Sequence, residues 1–462
     1  MGLGQEGLHQ GGLPGCVTRC QKIFQTSVCA IRGSGGWRAS MSTLVIGDPL
    51  TASAPRMPTP RVTSRQAHPA PHPPSRTGCF SVLPAKETPK AWRGAVAPCG
   101  RAASSTGARP DRRRDVEKPW PFNGLVRNLP MTSAHVAPVA VIIVNYATAP
   151  LTIEAVDSVL ARHHDGLPVE VHVIDNASPG DDARILSQAH VARGWAGTVT
   201  LHLEETNHGF GRGNNVVLQT LARREDPPDK VLLLNPDARL DNEALAILAR
   251  FLDDHPRAGA AGARIERPGD GTVTSAFRFP GLASEFSGAV AFGPVDRLLG
   301  RPRVALEPGL PTQQVDWVSG AALMLRMRTL AEVGSFDPDF FLYYEEVELM
   351  FRIRRAGWEV WQVDEAAVIH HEGAATGVQS RQRTLPPRPD YWYDSFGLYV
   401  RKTRGRSGAL AMTLARIAGW ALNRPIAAVL RRPAAAPPGA FGAMWRRVLR
   451  PLVGLPPTQA RR

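Results

Sequence analysis

Asn235-Pro236-Asp237 follows an apolar run, KVLLL at 230–234, and sets a carboxylate behind a rigid turn. At the tip of a strand such a carboxylate can hold a divalent cation that also grips a diphosphate. The same tripeptide is ordinary turn chemistry. Asp175-Asn176-Ala177-Ser178 closes a second apolar run. An Asp there can accept from a pyrimidine ring N–H, or it can make an Asx turn at a strand–helix junction. In NHGFGRGNN (207–215), Gly209, Gly211 and Gly213 would let backbone N–H groups approach an anion, with a helix N-terminus beyond them. A flexible connection is the plainer account.

Two further clusters carry proton and metal chemistry. Glu345, Glu346 and Glu348 crowd the first turn of an expected helix at 343–357. There they complement the helix dipole, or one of them takes a proton from a hydroxyl. The preceding aromatics, Phe340, Phe341, Tyr343 and Tyr344, suit either the wall of a sugar site or a core. His370-His371 ends the run AVIHH, where an imidazole can join a carboxylate on a manganese-like ion or merely pack.

The elements that must position these residues read as alternating strands and helices. VAVIIVN (139–145) is apolar throughout, as a strand buried on both faces requires. Thr148 can cap the next helix, with Pro150 in its first turn. Strands are expected at 169–174, 198–203 and 230–234, and helices at 212–223 and about 242–254. This alternation predicts a doubly wound α/β sheet with ligands beyond the carboxyl ends of its strands. Asn145, Asp175-Asn176 and Asn235-Pro236-Asp237 all fall at such ends. In the second half, 316–327 reads as a glycine turn into a strand, and 358–363 and 367–373 as two more strands.

The charge is split along the chain. Residues 1–130 carry 18 Lys and Arg against 6 acids, and residues 397–462 carry 13 bases and no acid. The net charge of +14 therefore belongs to the ends, and the middle is acidic. A nucleic-acid-binding protein would explain the ends but not the acidic middle with its ordered motifs. All five cysteines precede residue 131, so the core has no disulfide framework and a reducing compartment is expected. Cys16 and Cys20 lack a second ligand pair for zinc.

Residues 1–130 are rich in Gly, Pro, Ser and Ala without periodicity, the composition of a disordered extension. Translation is expected to start at or near Met131. The organisation that follows is an extension over 1–130, a catalytic domain over 131–396, and a basic amphipathic helical tail over 397–462. In that tail Trp445, Val448, Leu449 and Leu452 share a face beside Arg446, Arg447 and Arg450, a pattern suited to an anionic membrane surface. The best spanning candidate, 407–422, is too short and contains Arg416. A cytoplasmic protein, peripheral on the inner face of the membrane, is expected.

Taken in order, VIIVNY, VIDNAS, NHGFGRGNN, LLLNPDA, VSGAALMLR, VGSFDPDFFLYYEEVEL and VIHHEG resemble family 2 glycosyltransferases of GT-A fold, notably bacterial rhamnosyltransferase-like enzymes. The resemblance runs from Val139 to Gly377 and implies a Rossmann-like GT-A sheet and inverting sugar transfer. It implies a nucleotide-diphosphate sugar donor, with dTDP-rhamnose favoured, a glycan or lipid-linked acceptor, and Mg²⁺ or Mn²⁺. Asn145, Tyr146, Asp175, Asn176 and Asn214 would line the nucleotide-sugar pocket. Asp237 would bind the metal, with His370, and less so His371, as a metal or diphosphate contact. Trp317, Ser319, Gly320 and Glu348 would shape the acceptor and sugar pocket. Where the family usually has Glu-Asp, with the Asp as base, this chain has Glu345-Glu346, so the base reaches one methylene farther. A sugar nucleotidyltransferase is the rival on a similar fold. It should carry a glycine-rich basic loop after the first strand, and VNYATAP is not one.

Overall fold

β1 (Val139–Asn145) is buried at all seven positions because both faces of the sheet are covered. Its even-numbered side chains, Ala140, Ile142 and Val144, enter one core, and Val139, Val141 and Ile143 enter the other. Strand pleating alone produces that division. In the computed structural model, residues 138–371 and 386–455 are described, all within one compact unit of the chain. The expected extension, its cysteines and a start at Met131 lie outside the described residues.

The first half alternates as the apolar runs require. After β1 come α1 (Ala149–Leu160), β2 (Val169–Asn176), α2 (Asp182–Ala192), β3 (Val199–Glu204), α3 (Gly209–Ala222) and β4 (Lys230–Leu234). Then follow β5 (Ala238–Leu240), α4 (Ala244–Asp254), β6 (Ala258–Arg267), β7 (Gly271–Val273), β8 (Ala276–Phe277), α5 (Leu282–Val290) and α6 (Gly293–Leu298). The second half holds β9 (Gln313–Val315), β10 (Trp317–Val318), β11 (Ala322–Arg326), α7 (Met327–Val333), α8 (Glu345–Arg355), β12 (Glu359–His370) and α9 (Asp390–Val429). Further helical turns follow at 440–452.

The main sheet runs β3-β2-β1-β4-β11-β6-β12-β5. β3, β2, β1 and β4 are parallel, β11 is antiparallel to both neighbours, and β12 is parallel to β6, so the sheet is mixed. α1, α2 and α4 cover one face, while α3, α7, α8 and α9 cover the other. The α/β GT-A-like expectation is met, with the helical C-terminal region present.

Several details differ from expectation. Thr148 does not cap α1; its hydroxyl donates to Asn145 Oδ1 instead. α3 begins at Gly209, three residues before the expected 212, so Gly211 as well as Gly213 is helical. A Cβ on Gly211 would stand 3.0 Å from Phe336 Cβ, and one on Gly213 would stand 3.1 Å from Val144 Cγ1. Those two glycines bring a helix close to its neighbours and do not build an open loop. The two expected strands over 358–373 are one strand, β12, with register shifts along it. Residues 372–373 lie outside the described residues.

The tail is also different. α9 starts at Asp390 and runs through residues 396 and 397. Val448 and Leu452, expected on a membrane-facing stripe, pack into the protein core, and only Trp445 of the four stays exposed. An apolar stripe is satisfied by whichever apolar surface is nearest, and α9 supplies it. Among the described residues no helix is long and apolar enough to cross a membrane.

Candidate active site

The carboxyl ends of β1, β2 and β4 lie side by side because the three strands are parallel and in register: Asn145 pairs with Asp175, and Ile143 with Leu234. Asn145 Nδ2 donates to Asp175 Oδ1 at 2.8 Å, with Ser178 Oγ and Asp182 Oδ1 each 3.1 Å away. Its Oδ1 accepts from Thr152 at 2.7 Å. Ser178 Oγ also donates to Asp175 Oδ1. Asp175 is thus held on one oxygen, while Oδ2 takes only a 3.4 Å contact from the Ser178 N–H. That leaves Oδ2 able to accept from a base. Tyr146 stands exposed at this rim, followed by Ala147 at φ 55°.

Asn176 is fully engaged. Its Nδ2 donates to Asn207 Oδ1 and to the Gly209 carbonyl, each at 3.1 Å, and its Oδ1 accepts from the His208 N–H at 2.9 Å. It ties β2 to the start of α3. Gly209 is required there: at φ 74° its missing Cβ would meet the Phe341 carbonyl oxygen at 1.8 Å. The Phe210 N–H donates to that same carbonyl at 3.2 Å. Asn214 donates to the Phe210 carbonyl at 3.0 Å, and its buried Oδ1 has no hydrogen-bond partner among the described residues. Asn215, which the sequence reading passed over, exchanges two hydrogen bonds with the Phe336 backbone. The neighbouring glycines drew attention to the loop and hid the Asn that fastens it.

At the β4 tip the Asn235 N–H donates to the Ala321 carbonyl at 2.9 Å. His370 Nε2 lies 3.0 Å from Asp237 Oδ1 and 3.3 Å from Asn235 Nδ2. β5 and β12 make this meeting, since Ala238 pairs with His370. The His371 ring turns away, 2.9 Å from the Arg239 guanidinium. Asp237 and His370 therefore converge and His371 does not. Among the described residues no group of three or more His, Cys, Asp and Glu forms a metal cluster. One carboxylate and one imidazole fit an ion that draws its other oxygens from a diphosphate and water.

Residues 317–348 hold the second group of candidate residues. Trp317 is wholly buried, stacked on Phe277 at 3.9 Å, with Nε1 donating to the Arg278 carbonyl. Its ring belongs to the core and does not line a pocket. Ser319 and Gly320 are half-buried, and Gly320 sits against the Phe210 ring. Tyr343 and Tyr344 occupy consecutive left-handed conformations, φ 71° and 69°. Such conformations cost about 1–3 kcal/mol each and persist where surroundings enforce them. The Tyr344 ring lies among Trp392, Phe396 and Tyr399 of α9, and Tyr343 stacks on Tyr391. Ser395 Oγ donates to the Leu342 carbonyl at 2.9 Å. The aromatic run is therefore divided: Phe340 and Tyr344 are core, and Phe341 and Tyr343 stay half-open.

The three glutamates separate by environment. Glu348 is buried, and Arg352 binds both its oxygens at 2.8–3.0 Å. Arg352 also donates to the carbonyls of Val333, Gly334 and Ser335, so this pair fixes the loop before α8. Glu348 is thereby withdrawn from the pocket expected for it. Glu345 is buried, and its Oε2 has no hydrogen-bond partner among the described residues. Burial and the adjacent Glu346 charge raise its carboxyl well above the usual range. Glu346 is half-open, and burial pushes it up to about 7. No cation within the described network offsets the pair, which suits a group that must accept a proton near neutrality.

A chain of contacts closes the rim: Asn145 to Asp175, Asn176 to Gly209, Phe210 to Phe341 and Gly320, Asn235 to Ala321, and Asp237 to His370. The family model described as Glycosyl transferase family 2 matches residues 140–289. An N-acetylglucosaminyl-diphospho-decaprenol L-rhamnosyltransferase of Mycobacterium tuberculosis is 30% identical over 219 residues, 46% of this chain and 69% of that protein. Rhamnosyltransferase WbbL of Escherichia coli K12 is 22% identical over 166 residues, 36% of this chain and 61% of that protein. Among solved structures, a mannosyltransferase from Pyrobaculum calidifontis, in complex with GDP-Man and Mn²⁺, overlays with a TM-score of 0.39 at 16% identity. That overlay covers 68% of this chain and 84% of the other.

Proposed function

We infer the reaction from one premise: the chain belongs to glycosyltransferase family 2. It is a glycosyltransferase that moves a sugar from a nucleotide-diphosphate donor to a hydroxyl of a glycan or lipid-linked acceptor. The proposed donor is dTDP-rhamnose, after the rhamnosyltransferases it is similar to, and the proposed acceptor is a polyprenyl-diphosphate-linked sugar. The proposed setting is the cytoplasmic face of the membrane.

The observation that carries the mechanism is the sorting of the glutamates. Glu348 is spent on Arg352 and Glu345 is enclosed, while Glu346 is reachable with its carboxyl pushed up to about 7. Glu346 takes the proton of the acceptor hydroxyl as that oxygen attacks the anomeric carbon. The bond from that carbon to the diphosphate oxygen breaks on the opposite side, and a nucleoside diphosphate leaves with inversion. Asp175 Oδ2 accepts from the base of the nucleotide, and Asn145 holds Asp175 for that contact. Asp237 and His370 would hold Mg²⁺ or Mn²⁺, which neutralises charge on the departing diphosphate when bound.

The test is Glu346→Gln with a nucleotide sugar and a lipid-linked acceptor. Transfer should fall about 100-fold to 10,000-fold while donor binding survives. Full transfer by the variant would remove Glu346 from the base role.

A further inference from the structure

α9 is divided at Gly405, whose φ of 67° breaks the helical path, and its second half buries a mixed face, with Ala409, Met412, Trp420 and Ala427 beside three polar residues, and exposes an apolar one. On the inner face Thr413, Arg416 and Asn423 are buried, and each is used by the protein. Arg416 pairs with buried Glu285, Asn423 bridges the Val290 carbonyl and the Ala435 N–H, and Thr413 donates to the Ala409 carbonyl. Gly419 lets α5 approach so closely that a Cβ would meet the Phe286 carbonyl oxygen at 2.6 Å. The outer face is almost wholly apolar. Leu410, Leu414, Ala418, Leu422, Pro425 and Val429 are exposed, and Arg424 is the one exposed polar residue between 410 and 429. A helix at a water interface carries the opposite pattern. A continuous exposed aliphatic stripe beside arginines is the arrangement of a helix that lies at a lipid interface.

We propose that this outer face of α9 docks on an anionic lipid surface, its aliphatic stripe in the acyl boundary and its arginines among the headgroups. The stripe is about 28 Å long at the helical rise, enough to lie in the interface along its length. Arg406, Arg424, Arg431 and Arg432 are exposed along and beyond it, and residues 397–462 contain 13 bases and no acid. Arg406 also donates to the Leu452 carbonyl, which sets exposed Val453 and Leu455 beside the head of the stripe. The charge is complementary to acidic lipid headgroups. A second copy of the chain would set like charge against like. A protein partner would be expected to find aromatic anchors, and the stripe is purely aliphatic. Such docking deepens the reading of a lipid-linked acceptor by bringing the enzyme to the surface where that lipid lies.

The experiment is co-sedimentation of the full chain with phosphatidylcholine vesicles, with and without phosphatidylglycerol, and with no donor or acceptor present. Failure of docking is thus separate from failure of sugar transfer. The unaltered chain should pellet with the anionic vesicles and be released by salt. Leu414→Glu with Leu422→Glu, and separately Arg424→Glu with Arg431→Glu and Arg432→Glu, should each weaken binding about tenfold or more. Circular dichroism and a soluble-acceptor assay should be unchanged. If the paired leucine variant does not fold, Leu422→Ser alone should weaken binding about threefold. Absence of vesicle binding by the unaltered chain, or equal binding by all variants, overturns the proposal. So does a dimer in the unaltered chain that the leucine variant dissolves without any vesicle binding, which would assign the face to a second copy.

Discussion

Two regions, the carboxyl ends of β1 and β2 and the start of α8, are built in opposite ways. On the donor side, Asn145, Asp175, Ser178 and Asn176 are held by one another and by backbone groups. At the start of α8, Glu345 and Glu346 stand together, and among the described residues no cation pairs with them. The first region is a relaxed hydrogen-bonded frame built from the ends of parallel strands. The second is strained: two tyrosines in left-handed conformations carry the glutamates, and α9 clamps them with aromatic rings and Ser395. The difference fits the proposed division between nucleotide binding and proton transfer. Recognition needs groups already in place, while proton transfer needs a group kept at a higher free energy than water would allow.

If that contrast is right, the largest effect belongs to Glu346→Gln. Transfer should fall about 100-fold to 10,000-fold with the fold unchanged, read by product formation. Asp237→Ala should follow, with transfer lost about 100-fold and donor binding weakened but detectable by calorimetry. Transfer that is insensitive to Asp237→Ala would break the donor side of the comparison.

The pH dependence sharpens the acceptor side. A Glu346 carboxyl near 7 must lose its proton to act, so the rate should rise about tenfold from pH 6 to pH 8. Stability should move the other way. The native state keeps a proton that the unfolded chain releases in the usual carboxylate range, so the protein loses stability as pH rises from that range through about 7. Melting temperatures at pH 5 and pH 8 should show this slope, and Glu346→Gln should reduce it, with buried Glu345 supplying the remainder.

Glu348→Ala separates structure from chemistry within one helical turn. Leaving the half-buried Arg352 guanidinium without its carboxylate partner should cost about 1–3 kcal/mol of stability by denaturant titration. Activity per folded molecule should stay within about threefold, since Arg352 holds both oxygens of this carboxylate. The smallest effect is expected from His371→Ala, whose ring faces Arg239; a surface change of this kind should leave stability within about 0.5 kcal/mol.

Much of the donor side was legible in the amino-acid order. VAVIIVN, VEVHVI and KVLLL each form the expected strand within a residue or two, because a run apolar on both faces has few other places to go. Parallel register then brings Asn145, Asp175 and Asn235 to one edge. The acceptor side was legible only as a list of types. Three glutamates in one helical turn look alike until Arg352 claims one and burial claims another. Trp317 looked like a pocket residue until Phe277 and the core enclosed it.

The order of residues by itself determined the alternation of strands and helices, the acidic middle between basic ends, and which side chains could do chemistry. Only the tertiary structure decided which glutamate is open, which histidine meets Asp237, and which face of the C-terminal helices remains uncovered. The physical reason is range. Strand and helix formation follow from neighbours a few residues away, whereas the charge state and exposure of a side chain depend on what distant segments bring against it.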